Sequence, residues 1–370
     1  MNVEKVKRMK CKDRSERMEK DKQYWQVAAG SAERDYSELF IKYGIMLIGT
    51  GKVFGDFTKN ERLYKKHRGK EVSKSDFRAI TDFTKNVRKG DIVVLRKARG
   101  KSMYLWAVGK VVGDYEFLDV FGDVGGWGLQ HTRRVEWHQP KHSIYLSKTA
   151  NTPTFTRLNR LETINRANYV IAGGNYKTQK PGKLPKPQKI MPDETLRMEL
   201  RKKGLKKEYA MKLTNEINKN RKLINWYHYE CKNIEGKPLP ISEHETRTFL
   251  VIPLLESLGW KEPNIKIELN QVDVALFEKE YQGKKNDCKV LIETKRLNAG
   301  LSAASSQVKD YAKKYPQCKK LIVTNGECYI LMNRKGKEKA YFNILKPRLH
   351  HPFEKNVGGA VNLLGSLIPK

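Results

Sequence analysis

The chain has 370 residues, 74 of them Lys or Arg and 41 Asp or Glu, giving a formal charge of +33 and a pI near 9.8. That length suits two compact domains, and that charge makes a polyanion, nucleic acid first, the natural partner. It leaves no room for a membrane partner through a spanning helix, because no stretch approaches the roughly 18 apolar residues required. The five cysteines (Cys11, Cys231, Cys288, Cys318, Cys328) lack paired metal-ligand spacing, and the eight histidines form no HExxH or Cys/His set, so zinc chemistry is not suggested. The amino terminus begins with charges instead of an apolar signal core, which makes the cytoplasm the expected location.

Residues 1–22 are almost wholly polar, too poor in apolar side chains to offset their ordering entropy, and are expected to form a flexible basic arm. From 23 to 174 short β runs alternate with turn residues: YWQVAAG, GIMLIGTG, DIVVLRK, YLWAVGKVVG, HTRRVEWH and NYVIAGG, the pattern of a mostly β domain with one or two helices. The segment KTQKPGKLPKPQK, with three prolines and five lysines, predicts an extended linker. A basic helical stretch follows, and Lys177 to Lys232 holds 16 Lys and Arg against 6 Asp and Glu, so residues 175–238 are expected to act as a linker with phosphate-tracking helices. Residues 239–370 alternate α and β: helix SEHETRTFLVIPLLESLG, strands IKIEL, VDVALF and KVLIETKRL, helix SAASSQVKDYAKKY, strand KKLIVT, an Asn325-Gly326 hairpin turn, and strand CYILMN. Ser242 is placed to cap the first of these helices.

Hydrolysis of a phosphodiester needs a divalent metal held by carboxylates, activated water, and a cation for the developing charge. Glu-x-Lys alone is uninformative here, since it occurs at 230–232, 235–237 and 293–295. Only in KVLIETKRL does strand alternation put Glu293 and Lys295 on one face of an apolar strand. Asp273, in VDVALF, is an acid in so apolar a strand that it requires a ligand or a tight hydrogen bond.

This ordered set resembles the PD-(D/E)xK nuclease superfamily, in particular the nuclease domain of type I restriction motor subunits and its stand-alone relatives, over about residues 240–350. The resemblance implies an α/β restriction-endonuclease-like domain, a mixed central sheet flanked by helices. It implies that Asp273, Glu293 and the Thr294 carbonyl bind Mg²⁺ or Mn²⁺, and that Lys295 positions water or stabilises charge. Glu243 or Glu245 would be the helix-borne acid, and Gln307, with Tyr311 four residues on, would line the cleft. Val272 stands where the superfamily pattern has proline.

Residues 23–140 resemble the PUA-like modules, relatives of EVE and YTH domains, through YWQVAAGSAERDYSELFIKYGIMLIGTG, FGDFT, VRKGDIVVLRK, WAVGKVVGDYEF and HTRRVEW. That resemblance implies a small barrel holding a flipped, often modified base in an aromatic cage. The cage candidates are Trp25, Asp56, Trp106, Tyr115 and Trp127, while Trp137 is expected in the core and Gly-rich FGDVGGWGLQ in a loop. Together the two resemblances imply a modification-sensing endonuclease of a restriction system acting on duplex DNA, with a homodimer as one way of cutting both strands. No GxxxxGK[ST] motif is present, so a translocating motor would be a separate subunit. A nucleic-acid-binding protein, with RNA as a target and a vestigial centre, is the alternative.

Overall fold

The computed structural model describes residues 22–31, 34–50, 54–99, 102–147, 153–173, 176–178, 180–236, 239–284 and 287–369. The arm expected over residues 1–22 lies, except for Lys22, outside the described residues. The chain divides into two units, one of residues 1–122 and 128–184, the other of residues 123–127 and 185–370.

The first unit is built on an eight-stranded curled sheet. Its elements are β1 (Tyr24–Ala28), α1 (Ser37–Tyr43), β2 (Ile45–Ile48), α2 (Phe57–Lys66), α3 (Lys74–Thr81), β3 (Ile92–Arg99), β4 (Ser102–Phe117), β5 (His131–Pro140), β6 (Ile144–Ser147), β7 (Phe155–Arg157), α4 (Leu161–Ile171) and β8 (Tyr176–Thr178). The strand order is β8-β5-β4-β3-β1-β7, with β2 paired to β5 and β6 to β4. The neighbours β1 and β3 run parallel, so the chain between them must cross over, and it does so through α1, β2, α2 and α3. Trp137 is buried, its indole N–H donated to the Ile45 carbonyl at 3.0 Å. Gly109 lies across from it because a Cβ there would sit 2.3 Å from Val135 Cγ1 and 2.6 Å from Trp137 Cε3. Pairing of β8 with β5 carries this unit to Leu184, beyond the expected end at 174 and into the proline-lysine segment.

The second unit begins with α5 (Asp193–Lys202) and α6 (Lys207–Tyr229). Next comes α7 (Glu243–Thr246), which runs through a π-helical turn (Arg247–Val251) into α8 (Ile252–Ser257). The sheet follows: β9 (Ile265–Leu269), β10 (Val272–Phe277), β11 (Cys288–Thr294), then α9 (Ser302–Ala312), β12 (Lys320–Thr324), β13 (Cys328–Met332), β14 (Glu338–Asn343) and α10 (Ala360–Leu367). The six strands lie in sequence order, antiparallel throughout except for the parallel pair β11 and β12, which α9 connects. This is a mixed sheet flanked by helices. Val274, Leu276, Val290 and Ile292 pack under α5, α6, α8 and α10, while Ala275, Phe277 and Leu291 pack under α9, as the two-residue period requires.

The segment 175–238 is therefore not a separate linker module. Leu213, Ile217 and Ile224 recur at helical spacing and join the same core as Leu250 and Leu254, so α6 is an amphipathic helix of the second unit with its lysines on the solvent side. We expect Ile217→Ala to destabilise this unit by about 2–5 kcal/mol in denaturant unfolding. Lys219→Ala, on the exposed face, should change it by less than about 0.5 kcal/mol.

Candidate functional site

The apolar strand β10 carries one acid, and its carboxylate is fully engaged. Asp273 Oδ2 accepts from the Thr294 N–H at 2.7 Å and from the Thr294 hydroxyl at 2.8 Å, and Oδ1 accepts from Arg247 Nη1 at 2.8 Å. These three donors satisfy the desolvation cost that singled out Asp273 in the sequence. Thr294 thus enters the site through its N–H and hydroxyl, contacts that the sequence did not suggest. Arg247, 4 % exposed, also contacts Glu268 and His244. It escaped the motif reading, although its position four residues after Glu243 puts the two on one helical face.

Glu293 is 3 % exposed, on the α9 side of β11 with Leu291. Its Oε1 accepts from Lys295 Nζ at 2.9 Å, whereas its Oε2 is buried with no hydrogen-bond partner. Burial, reinforced by the negative charges of Asp273 and Glu243, lifts the carboxyl to about 7 against the pull of Lys295. For Lys295 burial acts downward, but the hydrogen bond and charge of Glu293 outweigh it and raise the ammonium. Lys295 lies 3.7 Å from Glu243 Oε2. Glu245 is committed elsewhere: it closes a capping box, accepting from Ser242 N–H at 2.8 Å while Ser242 Oγ accepts from Glu245 N–H at 3.0 Å. Glu243 is therefore the helix acid that faces the centre.

On α9, Tyr311 is half-buried against the core under that helix, and its phenol is raised by burial and then by the charges of Glu293 and Asp273. Gln307 is exposed and its side chain makes no hydrogen bond among the described residues. No three His, Cys, Asp or Glu side chains converge as a metal cage among the described residues. A two-carboxylate centre still fits Mg²⁺, which takes one or two carboxylates and completes its shell with water and phosphate oxygens. The unpartnered Glu293 Oε2 is the atom such a cation would satisfy.

In the first unit the cage candidates do not assemble. Trp25 is 1 % exposed, stacked on Phe155 at 5.3 Å with its indole N–H given to Asp91 Oδ2 at 2.8 Å, so it is core and offers no face to a base. Asp56 is the N-cap of α2, accepting from Thr58 N–H at 3.0 Å. Tyr115 is brought to it: the Tyr115 hydroxyl lies 3.2 Å from Asp56 Oδ1 and 2.8 Å from His131 Nδ1. His131 Nε2 in turn lies 3.2 Å from the Tyr64 hydroxyl, which is 2.8 Å from the Gly55 carbonyl. Full burial pushes His131 down to about 4, so the imidazole is neutral. Asp56 and Tyr115 are thus parts of a buried polar network. Trp106 is half-buried, with the Lys97 ammonium 3.9 Å from its ring centroid, and lines a small cleft of about 300 Å³ with Gln139, Lys141 and His142. Trp127 is 44 % exposed and falls within the second unit.

Comparison with known proteins gives little to add to this geometry. A family model described as a domain of unknown function, DUF8426, matches residues 25–159. No curated protein matches the chain. Among solved structures, the chain is similar to the YTH domain of the Zygosaccharomyces rouxii MRB1 protein in complex with N6-methyladenosine RNA. The identity is 11 %, the match covers 44 % of this chain and 91 % of that one, and the TM-score is 0.21.

The raised carboxyl of Glu293 has a consequence for stability. A carboxyl whose folded value of about 7 exceeds its unfolded value must ionise at a cost, so folding stability falls as pH rises from about 4.5 through 7. Glu293→Gln should therefore melt higher than the wild type at pH 8, and the difference should vanish towards pH 4.5, as thermal unfolding across that range would show.

Proposed function

We propose that the second unit is a metal-dependent phosphodiesterase that cuts DNA, and that the first unit binds the same nucleic acid and favours a modified base. The observation that carries this reading is Glu293 Oε2, a buried carboxylate oxygen without a partner, beside Asp273 and Lys295. An unsatisfied buried acceptor costs about 1–3 kcal/mol, a cost that a bound cation would offset. The formal charge of +33 supports a polyanionic substrate.

Asp273, Glu293 and the Thr294 carbonyl would hold Mg²⁺ or Mn²⁺. Bound there, the ion would acidify a water molecule and stabilise charge on the scissile phosphate. The chain's own groups supply the rest. Arg247 and Thr294 fix the Asp273 carboxylate, so its orientation is set before substrate arrives. Lys295, held by Glu293 and near Glu243, presents an ammonium that orients the attacking water or meets the charge developing on phosphate. Water adds to phosphorus, the bond from phosphorus to the leaving oxygen breaks, and the leaving oxygen takes up a proton.

One observation favours a second reading. Arg247 already places a positive charge on Asp273, which supports a protein that binds nucleic acid, RNA included, without cutting it. Incubating the protein with Mg²⁺ or Mn²⁺ and matched plasmids, plain or carrying 5-methylcytosine or hydroxymethylcytosine, separates the two. We expect metal-dependent cutting that Glu293→Ala or Lys295→Ala reduces at least about a hundredfold. Absence of cutting on every DNA, or cutting indifferent to both substitutions, would overturn the proposal. Equal cutting of plain and modified plasmids would remove only the base preference. Because the ionised Glu293 is the form that binds metal, the wild-type cutting rate at limiting metal should climb with pH up to about 7 and then level.

A further inference from the structure

The first unit has a cleft of about 550 Å³ between α3 and the strand β7, well apart in sequence from the residues expected to form a cage. That size lies within the range of small-molecule sites. On α3, Lys74, Phe77, Arg78 and Thr81 all line it, positions three, four and seven apart that share one helical face. The opposite wall is Pro153, Phe155 and Thr156, and Arg68 stands at the rim.

Its chemistry is specific. Phe77 is only partly buried, and the Arg68 guanidinium lies 5.1 Å from its ring centroid. Three cations, Arg68, Lys74 and Arg78, line the cleft against one carboxylate, Asp82, an excess of two positive charges. Asp82 is 3.9 Å from Arg78 and also accepts from Asn86, whereas Lys74 has no acidic partner among the described residues. The Phe155 wall is rigid: its ring is stacked on Trp25 and meets Phe83 edge-on at 5.2 Å. Buried Arg96 donates to the Pro153 carbonyl at 2.7 Å, which fixes the lip. Finally, β7 is the last strand of its sheet among the described residues, so the peptide groups along one of its edges have no partner strand there.

We infer that this cleft binds one unstacked nucleotide of a single-stranded nucleic acid. The base lies against Phe77, and the planar, weakly hydrated Arg68 guanidinium, which rests 5.1 Å from that ring in the free protein, moves outward to stack on the other face of the base. Lys74 and Arg78 meet the flanking phosphates, and the free edge of β7 offers hydrogen-bonding groups to the base edge. An aromatic ring among cations is the combination that single-strand binding uses, stacking for the base and charge for the backbone. The site rests on nucleic acid being the partner proposed above but not on its hydrolysis.

The test uses the full chain in EDTA, where no cutting can occur, and fluorescence anisotropy with a short labelled oligonucleotide as DNA, as RNA of the same sequence, and as a base-free sugar-phosphate chain of equal length. The wild type should bind at least one base-bearing strand about tenfold more tightly than the base-free chain. Phe77→Ala should remove that difference, Phe77→Trp should keep it, and Arg78→Glu should weaken all three probes and flatten their salt dependence. DNA and RNA arms identify which sugar is preferred. Equal affinity for base-bearing and base-free chains, or unchanged binding by both Phe77→Ala and Arg78→Glu, overturns the inference. Because the readout is binding in EDTA and not cutting, a failure of the nuclease proposal would leave this result intact, and the reverse would also hold.

Discussion

A carboxylate removed from water must find compensation, and the second unit is organised around one that finds only half. Glu293 has a single partner, Lys295, at 2.9 Å, and two negative neighbours in Asp273 and Glu243. The arrangement is tolerable because the sheet around it is packed on both faces, so the strand end cannot relax toward solvent without exposing Leu291 and Ile292. Packing thus holds the charges together against their own repulsion. A site that stores such imbalance is suited to taking up a cation, since the cation relieves the repulsion and fills the empty acceptor at once.

The other parts of the centre are placed by ordinary local rules. The capping box of Ser242 and Glu245 fixes where α7 begins, and one turn of helix then aims Glu243 at Lys295 and Arg247 at Asp273. The same box occupies Glu245, so two acids two residues apart acquire different duties. Across the sheet, the parallel pairing of β11 with β12 includes Glu293 opposite Val323 and Thr294 opposite Thr324, which anchors the strand end that carries these two residues.

Much of this was legible in the sequence, and the reasons are visible in particular residues. Strand alternation located Glu293 and Lys295, the apolar run VDVALF marked Asp273 as an acid in need of partners, and Ser242 announced a helix start. Period alone could not identify the helix α6 as core, because its lysines dominate composition while its apolar residues are spread over a long helix. Nor did it identify β14 and α10, which follow the last strong turn signal and depend on tertiary packing for their definition. The aromatic residues of the first unit misled most. Trp25 and Trp106 sit on the same kind of β run, yet one is core and the other half-exposed, a difference set by which strand lies beside each and not by neighbours in sequence. Phe77 drew no attention because nothing near it in sequence suggested a cleft; Pro153 and Phe155, the other wall, are more than seventy residues away.

The network of Asp56, Tyr115, His131, Tyr64 and Gly55 is one proton short of its contacts. Four contacts run along it, from carboxylate to carbonyl, but two phenols and a neutral imidazole carry only three protons between them. One contact must therefore lack its hydrogen. If the imidazole proton is on Nδ1, the Gly55 carbonyl loses its donor; if on Nε2, Asp56 loses Tyr115. Asp56 Oδ1 keeps two donors from Thr58 in either case, and its contact with Tyr115 is the longer of the two that Tyr115 makes. With both ring nitrogens kept paired, these facts favour the Nε2 tautomer, in which Tyr115 donates to Nδ1. The imidazole of a single histidine thus sets the direction in which every hydroxyl along the chain points.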